Sequence, residues 1–459
     1  CGISPTKTII IPQDSLDNGE LIQTLPEFLD EVEQNEALYN NYATLSGNIT
    51  LRREAGCGFG QEETDDQIAD MLTFLERDLA VGSFGISYGS FYDPGTTKNA
   101  MIELAKTSRS SGGMAASHIR QMLINLRNVF WEYEGDNPCV QEFYDLINII
   151  LFKDSLIEAI DTCREADIPY IVSHLTDMAY NDSTHWALET IQAAIVEQSL
   201  PLAADIIGYD TFKNDLYALT RFGEIPVKLL MLLTGLEPGQ FWLAENVYVD
   251  GQLYMEAYQT FENIDQIEYL VQAFSESRAS APPESDSYSV AVWCNIVDPE
   301  STMLALTYPF VFIGNDGSVS RNETSGEVDV QPRTYACFSR LLGHWSRTEN
   351  AIPMKETLFK ATIAPALWLG LDRKGRLQQG CDADITVFDP DTIIDRAKPE
   401  LGKLDLPPEG IHYVIVNGKV VVENGELTGT TPGRLIRRTW SVPGNTQAVI
   451  SLYQDKFPD

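Results

Sequence analysis

Apolar and β-branched residues fall in short runs along the chain, and the stretches between them space their apolar positions three and four apart. Runs at 42–47, 82–89 (GSFGISYG), 112–119 (GGMAASHI), 168–175 (IPYIVSHL), 202–210 (LAADIIGYD) and 311–316 (VFIGND) predict strands, and the opening 1–4 predicts one more. Helical spacing occupies 65–79, 98–108, 143–165 and 184–198. Strand followed by helix, repeated, is the pattern of βα units on a parallel sheet. A closed barrel of this kind needs eight strands; counted this way the chain carries seven, and the one lacking is the first. The expected fold is therefore α/β, a TIM-like (β/α)8 barrel with strands 2–8 in this chain.

Two regions break the rhythm. Between the runs ending at Asp210 and Asp316 lies an insertion of mixed helix character, about 211–302, rich in acidic and aromatic residues and too long for a plain βα connection. Its stretch 275–288 (SESRASAPPESDSY) reads as a loop. From 375 onward the pattern changes to short strands separated by Gly, Asp and Pro turns (GRLQQGCDADITVFDP, then GIHYVIVNGKVVVENGELTG), which predicts a small β-sandwich domain. The expected division is a barrel over 1–374 and the small β-domain over 375–459.

Charge narrows the partners. Lys and Arg number 32 against 67 Asp and Glu, a net −35 that repels nucleic-acid phosphates and anionic lipid surfaces. Neither nucleic acid nor membrane is an expected partner. Seven cysteines without a CxxC pair fit a reduced, cytoplasmic protein, and no run of about 18 apolar residues predicts a transmembrane helix. The chain opens Cys1-Gly2-Ile3-Ser4, without an initiating Met or a signal-peptide pattern, so an upstream segment is expected to have been removed or to lie elsewhere.

Five histidines occur, and two of them, His118 and His174, end predicted barrel strands. Catalytic groups in such barrels come from the C-terminal ends of strands. A single strand-end histidine reads most simply as a hydrogen-bonded rim residue; two at equivalent ends of successive strands shift the balance toward a site. Cys1 ends the second strand of the count and Asp316 the last. A thiolate, two imidazoles and a carboxylate at one mouth suit Zn²⁺, with water at the open position. His185 falls within a helical pattern, and His344 and His412 lie away from the strand ends; all three read as structural.

In order and spacing these segments resemble the amidohydrolase superfamily, and within it the N-acyl-D-amino-acid deacylase (D-aminoacylase) family. The resemblance covers nearly the whole chain: Cys-Gly-Ile-Ser, GSFGISYG with Tyr92-Asp93-Pro94-Gly95, ASHIR, VSHL, Gly314-Asn315-Asp316-Gly317, Gln331-Pro332-Arg333-Thr334-Tyr335, Arg340-Leu341-Leu342-Gly343 and the tail from ADITVFDPDTI to GELTGTTPGR. It implies a metal-dependent hydrolase barrel acting on linear amides. Cys1, His118 and His174 would hold one tightly bound zinc, Asp316 would take a proton from water and pass it to the leaving amine, Arg333 would clamp the substrate's α-carboxylate, and Tyr209 would line that pocket. A second metal would need the His-X-His pair of the first strand, which is absent here. Thr176 stands where relatives often carry Lys, Gln331 where they carry His, Asn315 where they carry Ser and Ile207-Gly208 where they carry Tyr-Pro.

These departures leave the substrate open between an N-acyl (D-)amino acid and a related amide. A catalytically retired barrel that binds a carboxylate ligand, and a scaffold subunit, are the alternatives. A barrel short of one strand would expose unpaired edges. A companion chain carrying the first strand, and completing the small β-domain, is therefore expected, and a homo-oligomer is compatible with the sequence.

Overall fold

The computed structural model describes residues 23–34, 37–120, 123–124, 153–180, 183–215, 227–228, 231, 236–244, 246–249, 252–278, 291–317, 319–321, 328–400 and 402–439. The expected strand at 1–4 lies outside them.

Six strands, Ser46–Gly47, Gly85–Gly89, Met114–His118, Tyr170–Val172, Leu202–Ile206 and Val311–Ile313, form one parallel sheet in the order of the chain. All six were legible as apolar runs. Every residue of Gly85–Gly89 and Met114–His118 is buried, as strands covered on both faces must be. An open doubly wound sheet reverses its strand order at a switch point. Here the order never reverses, and the fold is a TIM-type barrel whose described strands are the third to eighth of the sequence count. The register is tight at Gly85: its φ is +143°, and a Cβ there would meet the carbonyl oxygen of Met114 at 1.9 Å.

Helices cover the outside where the sequence placed them, at Asp65–Ala80, Lys98–Ser110, Lys153–Ala166 and Ser183–Gln198. The first begins in a capping box, with the Thr64 hydroxyl accepting from Gln67 N and the Gln67 side chain accepting from Thr64 N, while Asp65 and Asp66 face the positive end of the helix dipole. Its buried stripe is Ile68, Met71, Leu75 and Leu79. Thr97 caps the second through Ala100 N at 3.2 Å.

The insertion departs from the expected mixed helix. Its described residues form an antiparallel sheet of Thr211–Asp215, Ala291–Asn295 and Phe241–Leu243, a hairpin of Val247–Val249 with Gln252–Met255, and the helix Ile264–Arg278. Strands of three to five residues that pair across 80 positions leave no local periodicity to read. That helix also takes the first four residues of the stretch read as a loop; 279–288 lie outside the described residues.

Beyond 375 a four-stranded antiparallel sheet runs Ile385–Phe388, Ile411–Val416, Lys419–Glu423 and Glu426–Leu427. Its two tight turns are Asn417-Gly418 and Asn424-Gly425, both residues of each at positive φ, the geometry that matches the twist of a hairpin. The chain then returns to the barrel: Tyr42 N donates to Arg434 O and Ile436 N to Tyr42 O.

The βα loops at the site end are held by a buried ion cluster. Arg52 and Arg53 both meet Asp93, at 3.0 and 3.1 Å, and Arg52 also pairs with Glu63. The Asp93 carboxylate accepts from Gly60 N and Gly95 N as well. Asn48, fully buried at the end of the first described strand, donates to Thr96 and accepts from Gly89 N. Removing one partner from a buried cluster leaves an uncompensated charge. Asp93→Ala is therefore expected to lower unfolding free energy by about 3 kcal/mol in urea titrations; a loss under about 1 kcal/mol would show that the arginines find other partners.

Candidate active site

His118 closes the strand Met114–His118, and His174 stands two residues past Tyr170–Val172, the neighbouring strand. Parallel register brings their rings to 4.5 Å between centroids, edge to face. Both are buried, and burial holds both neutral: His118 falls well below the ordinary histidine range, with His174 adding to the effect, and His174 falls to about 4. Phe91 stacks on His118 at 5.0 Å and Tyr92 meets it edge-on at 4.8 Å, so the loop gripped by Asp93 also grips this imidazole.

The nitrogens have different neighbours. His118 Nδ1 lies 3.2 Å from Ile119 O; facing a carbonyl it carries the proton, which leaves Nε2 as a lone-pair donor. His174 Nδ1 is buried and has no hydrogen-bond partner among the described residues. His174 also adopts φ +37°, a left-handed conformation unusual for a residue with a Cβ, and its backbone N donates to Asp205 Oδ1 at 2.8 Å. Asp205 comes from Leu202–Ile206. Close approach at Gly314, where a Cβ would come 2.9 Å from that same oxygen, seats it against the next strand.

Asp316 follows Val311–Ile313, likewise at positive φ (+39°). Arg333, from the helix Pro332–Arg340, donates through Nη2 to Asp316 at 2.8 Å and through Nη1 to Asp177 at 3.1 Å. Burial works to raise the Asp316 carboxyl, but the Arg333 guanidinium and His174 outweigh it and hold it below the usual carboxylate range. Asp177 goes the other way: burial lifts it to about 7 against the pull of Arg333, and burial lifts Asp205 to about 6.

Of the expected site residues, His118, His174, Asp316 and Arg333 come together at one mouth. Tyr209 lies apart from that ion pair in its contacts. It is buried with its hydroxyl 3.4 Å from Asp395 and its ring under Arg340, in a cluster that ties the barrel to the connection between the first two strands of the small β-sheet. Cys1 lies outside the described residues. His185 is exposed on its helix beside Glu189, His344 is half-buried beside Glu349, and His412 is exposed on the small sheet. Asp177 and Asp205 went unnoticed in the sequence, although a carboxylate inside each of the apolar runs LAADIIG and VSHLTD was the available signal.

Among the described residues no three His, Cys, Asp or Glu side chains form a metal-binding group. The pair itself suits a metal: two adjacent imidazoles, neutral and buried, with His174 Nδ1 unpartnered.

A parallel barrel that gathers imidazoles and carboxylates at the ends of its strands has the layout of a hydrolase. The chain belongs to the amidohydrolase family, which it matches over residues 158–421, and it is a hydrolase of carbon–nitrogen amide bonds. It is 34% identical over 423 residues to the N-acyl-D-glutamate deacylase of Alcaligenes xylosoxydans xylosoxydans, across 88% of this chain and 71% of that protein. To the D-aminoacylase of the same organism it is 26% identical over 439 residues, across 93% and 77%. The crystal structure of N-acyl-D-glutamate deacylase from Bordetella bronchiseptica, complexed with zinc and a phosphonate mimic of the tetrahedral intermediate, superimposes with a TM-score of 0.66 at 21% identity, covering 90% of this chain and 75% of that one.

The neutral imidazoles make a test. Below about pH 6.5 the unfolded metal-free chain protonates His174, whereas the fold resists until about 4. Between those values the unfolded state binds more protons, so stability falls on acidification by about 1.4 kcal/mol per pH unit from this residue. Asp177 and Asp205 act in the opposite sense, which makes His174→Gln the right reference. Lowering pH from 6.5 to 4.5 is expected to destabilise the metal-free wild type relative to that variant; a pH-independent difference would mean that the folded imidazole protonates freely.

Proposed function

We propose that this chain removes the acyl group from an N-acyl (D-)amino acid or a closely related amide, using one zinc ion held by Cys1, His118 and His174 and a proton shuttle at Asp316. The observation that carries the proposal is the pair of neutral, buried imidazoles 4.5 Å apart beside a carboxylate held ionised. Support comes also from the deacylases among its relatives and from the zinc in one of their structures. The barrel of 1–374 with its insertion carries this site, and the segment from 375 packs against it as a small β-domain.

A zinc ion at that position would supply Lewis acidity and lower the pKa of water toward neutrality. The protein groups do the rest. Asp316, ionised against Arg333, accepts the water proton and returns it to the amide nitrogen as the C–N bond breaks, serving as base and then as acid. Arg333 keeps that carboxylate charged and aimed. Phe91 and Tyr92 fix the plane of the His118 ring from two sides, and the Asp205 contact fixes the backbone of His174. Fixed ligands and a fixed base reduce the reorganisation needed at the moment of reaction.

Two variants separate the roles. Asp316→Asn is expected to retain zinc by elemental analysis while release of free amine from N-acetyl-D-amino acids and their amides falls by about 10²–10⁴. His118→Ala is expected to lose both zinc and turnover. Full activity in Asp316→Asn, or full activity in chelator-stripped protein, would sink the proposal.

A further inference from the structure

Strands Leu202–Ile206 and Val311–Ile313 bring Asp205 and Asp316 to the mouth, and a bond from Gly314 N to Ile206 O, at 2.9 Å, closes the ladder between them. Past it the strands part. One turns through Ile207 and Gly208, the latter at φ +76°, and the other runs through Gly314 to Asp316 at +39°. Beyond the ladder the carbonyls of Ile207, Gly208 and Gly314 must find donors elsewhere, because a buried carbonyl left without one costs about 1–3 kcal/mol.

The donors come from a single element. Helix Pro332–Arg340 continues directly into a π-helix, Leu341–Thr348. Cys337 Sγ lies 2.7 Å from Ile207 O and 3.0 Å from Gly314 O, so one thiol bridges the two strand ends. Burial pushes that thiol far above its ordinary range, and it keeps the proton it donates. Arg340 Nε donates to Gly208 O at 3.0 Å, and Trp345 Nε1 donates to the same oxygen at 2.7 Å. An α-helix repeats every 3.6 residues or about that, which turns positions five apart to different faces; the i→i+5 winding brings Arg340 and Trp345 onto one carbonyl.

The same helix carries Arg333, which donates to Asp316 at 2.8 Å. Asp316 is thus tied to it twice, through its own carboxylate and, two residues earlier, through Gly314 O. Asp205 packs against Gly314 and holds the backbone of His174. The placement of Asp316 relative to His174 is set across this pair of strand ends.

We infer that Cys337 and Trp345 are positioning residues for the hydrolysis: their hydrogen bonds to Ile207, Gly208 and Gly314 hold Asp316 in place against His174. They act through Asp316, so the inference rests on the reading of that carboxylate as the proton shuttle.

The test compares zinc-loaded wild type with three variants. Cys337→Ser keeps a donor, Cys337→Val keeps an apolar side chain without one, and Trp345→Phe keeps an aromatic ring without its N–H. With N-acetyl-D-leucine and N-acetyl-D-leucinamide as substrates, kcat is expected to fall by about tenfold in Cys337→Val and Trp345→Phe, with KM and zinc content unchanged, while Cys337→Ser stays near wild type. Hydrogen exchange followed by mass spectrometry reads the anchoring itself: peptides spanning 206–210 and 314–317 are expected to exchange faster in Cys337→Val and Trp345→Phe and not in Cys337→Ser. Undiminished kcat in Cys337→Val and Trp345→Phe would mean that Asp316 finds its place without these bonds, and Cys337→Ser as slow as Cys337→Val would mean that Cys337 only fills space; either overturns the inference. Should Cys337→Val fail to fold, Trp345→Phe decides by the same readouts. If wild type hydrolyses neither substrate, faster exchange confined to those peptides upholds the anchoring and counts against the hydrolytic reading of Asp316 alone, whereas unchanged exchange overturns the anchoring.

Discussion

Everything at the site depends on the register of one parallel sheet. Because side chains alternate with a period of two, sliding a strand by one residue would exchange its faces, and in fully buried strands that exchange is prohibitive. Gly85 shows how tightly the register is set, since no side chain of any size fits between it and Met114. From that register follow Gly89 opposite His118 and Ser117 opposite Val172, which brings His118 and His174 to adjacent positions at one mouth. The same constraint delivers Asp205 beneath His174 and Asp316 beyond the last strand.

Placing several ionisable groups in such a confined mouth would ordinarily force them to neutralise. The histidines do so, and their neutrality is what makes them available as lone-pair donors. The carboxylates divide: Asp316 stays charged because Arg333 and His174 outweigh its burial, while Asp177, bonded to the same arginine, is lifted because burial dominates. One guanidinium thus serves two acids in unequal environments. Two of the eight non-glycine residues at positive φ among the described residues, His174 and Asp316, stand at this mouth, and surrounding contacts must hold them there.

Much of this was legible in the chain. Apolar runs announced six strands, and polar residues at equivalent ends of such runs pointed to His118, His174 and Asp316. The Gly, Asp and Pro turns from 375 onward announced the short strands of the small sheet. What stayed hidden was every contact made at long separation. Asp177 and Arg333 lie 156 positions apart and Arg52 and Asp93 lie 41 apart, and no local rule links them. The insertion's sheet was lost for the same reason: three short strands carry too few alternations to stand out from helical spacing.

The long-range contacts also decide how the charges at this mouth are balanced. A barrel fixes the positions of strand ends whatever the side chains there, so chemistry common to many amides can survive large changes in sequence. Groups one layer further out, such as Asp177 bonded to Arg333, decide how far each charge at the mouth is already shared. An arginine read from sequence promises a site for anions; in the fold the same arginine already meets two carboxylates of its own chain, with its Nε unpartnered among the described residues. The physical content of the site therefore lies in how its charges are shared, and here one guanidinium meets both Asp177 and Asp316.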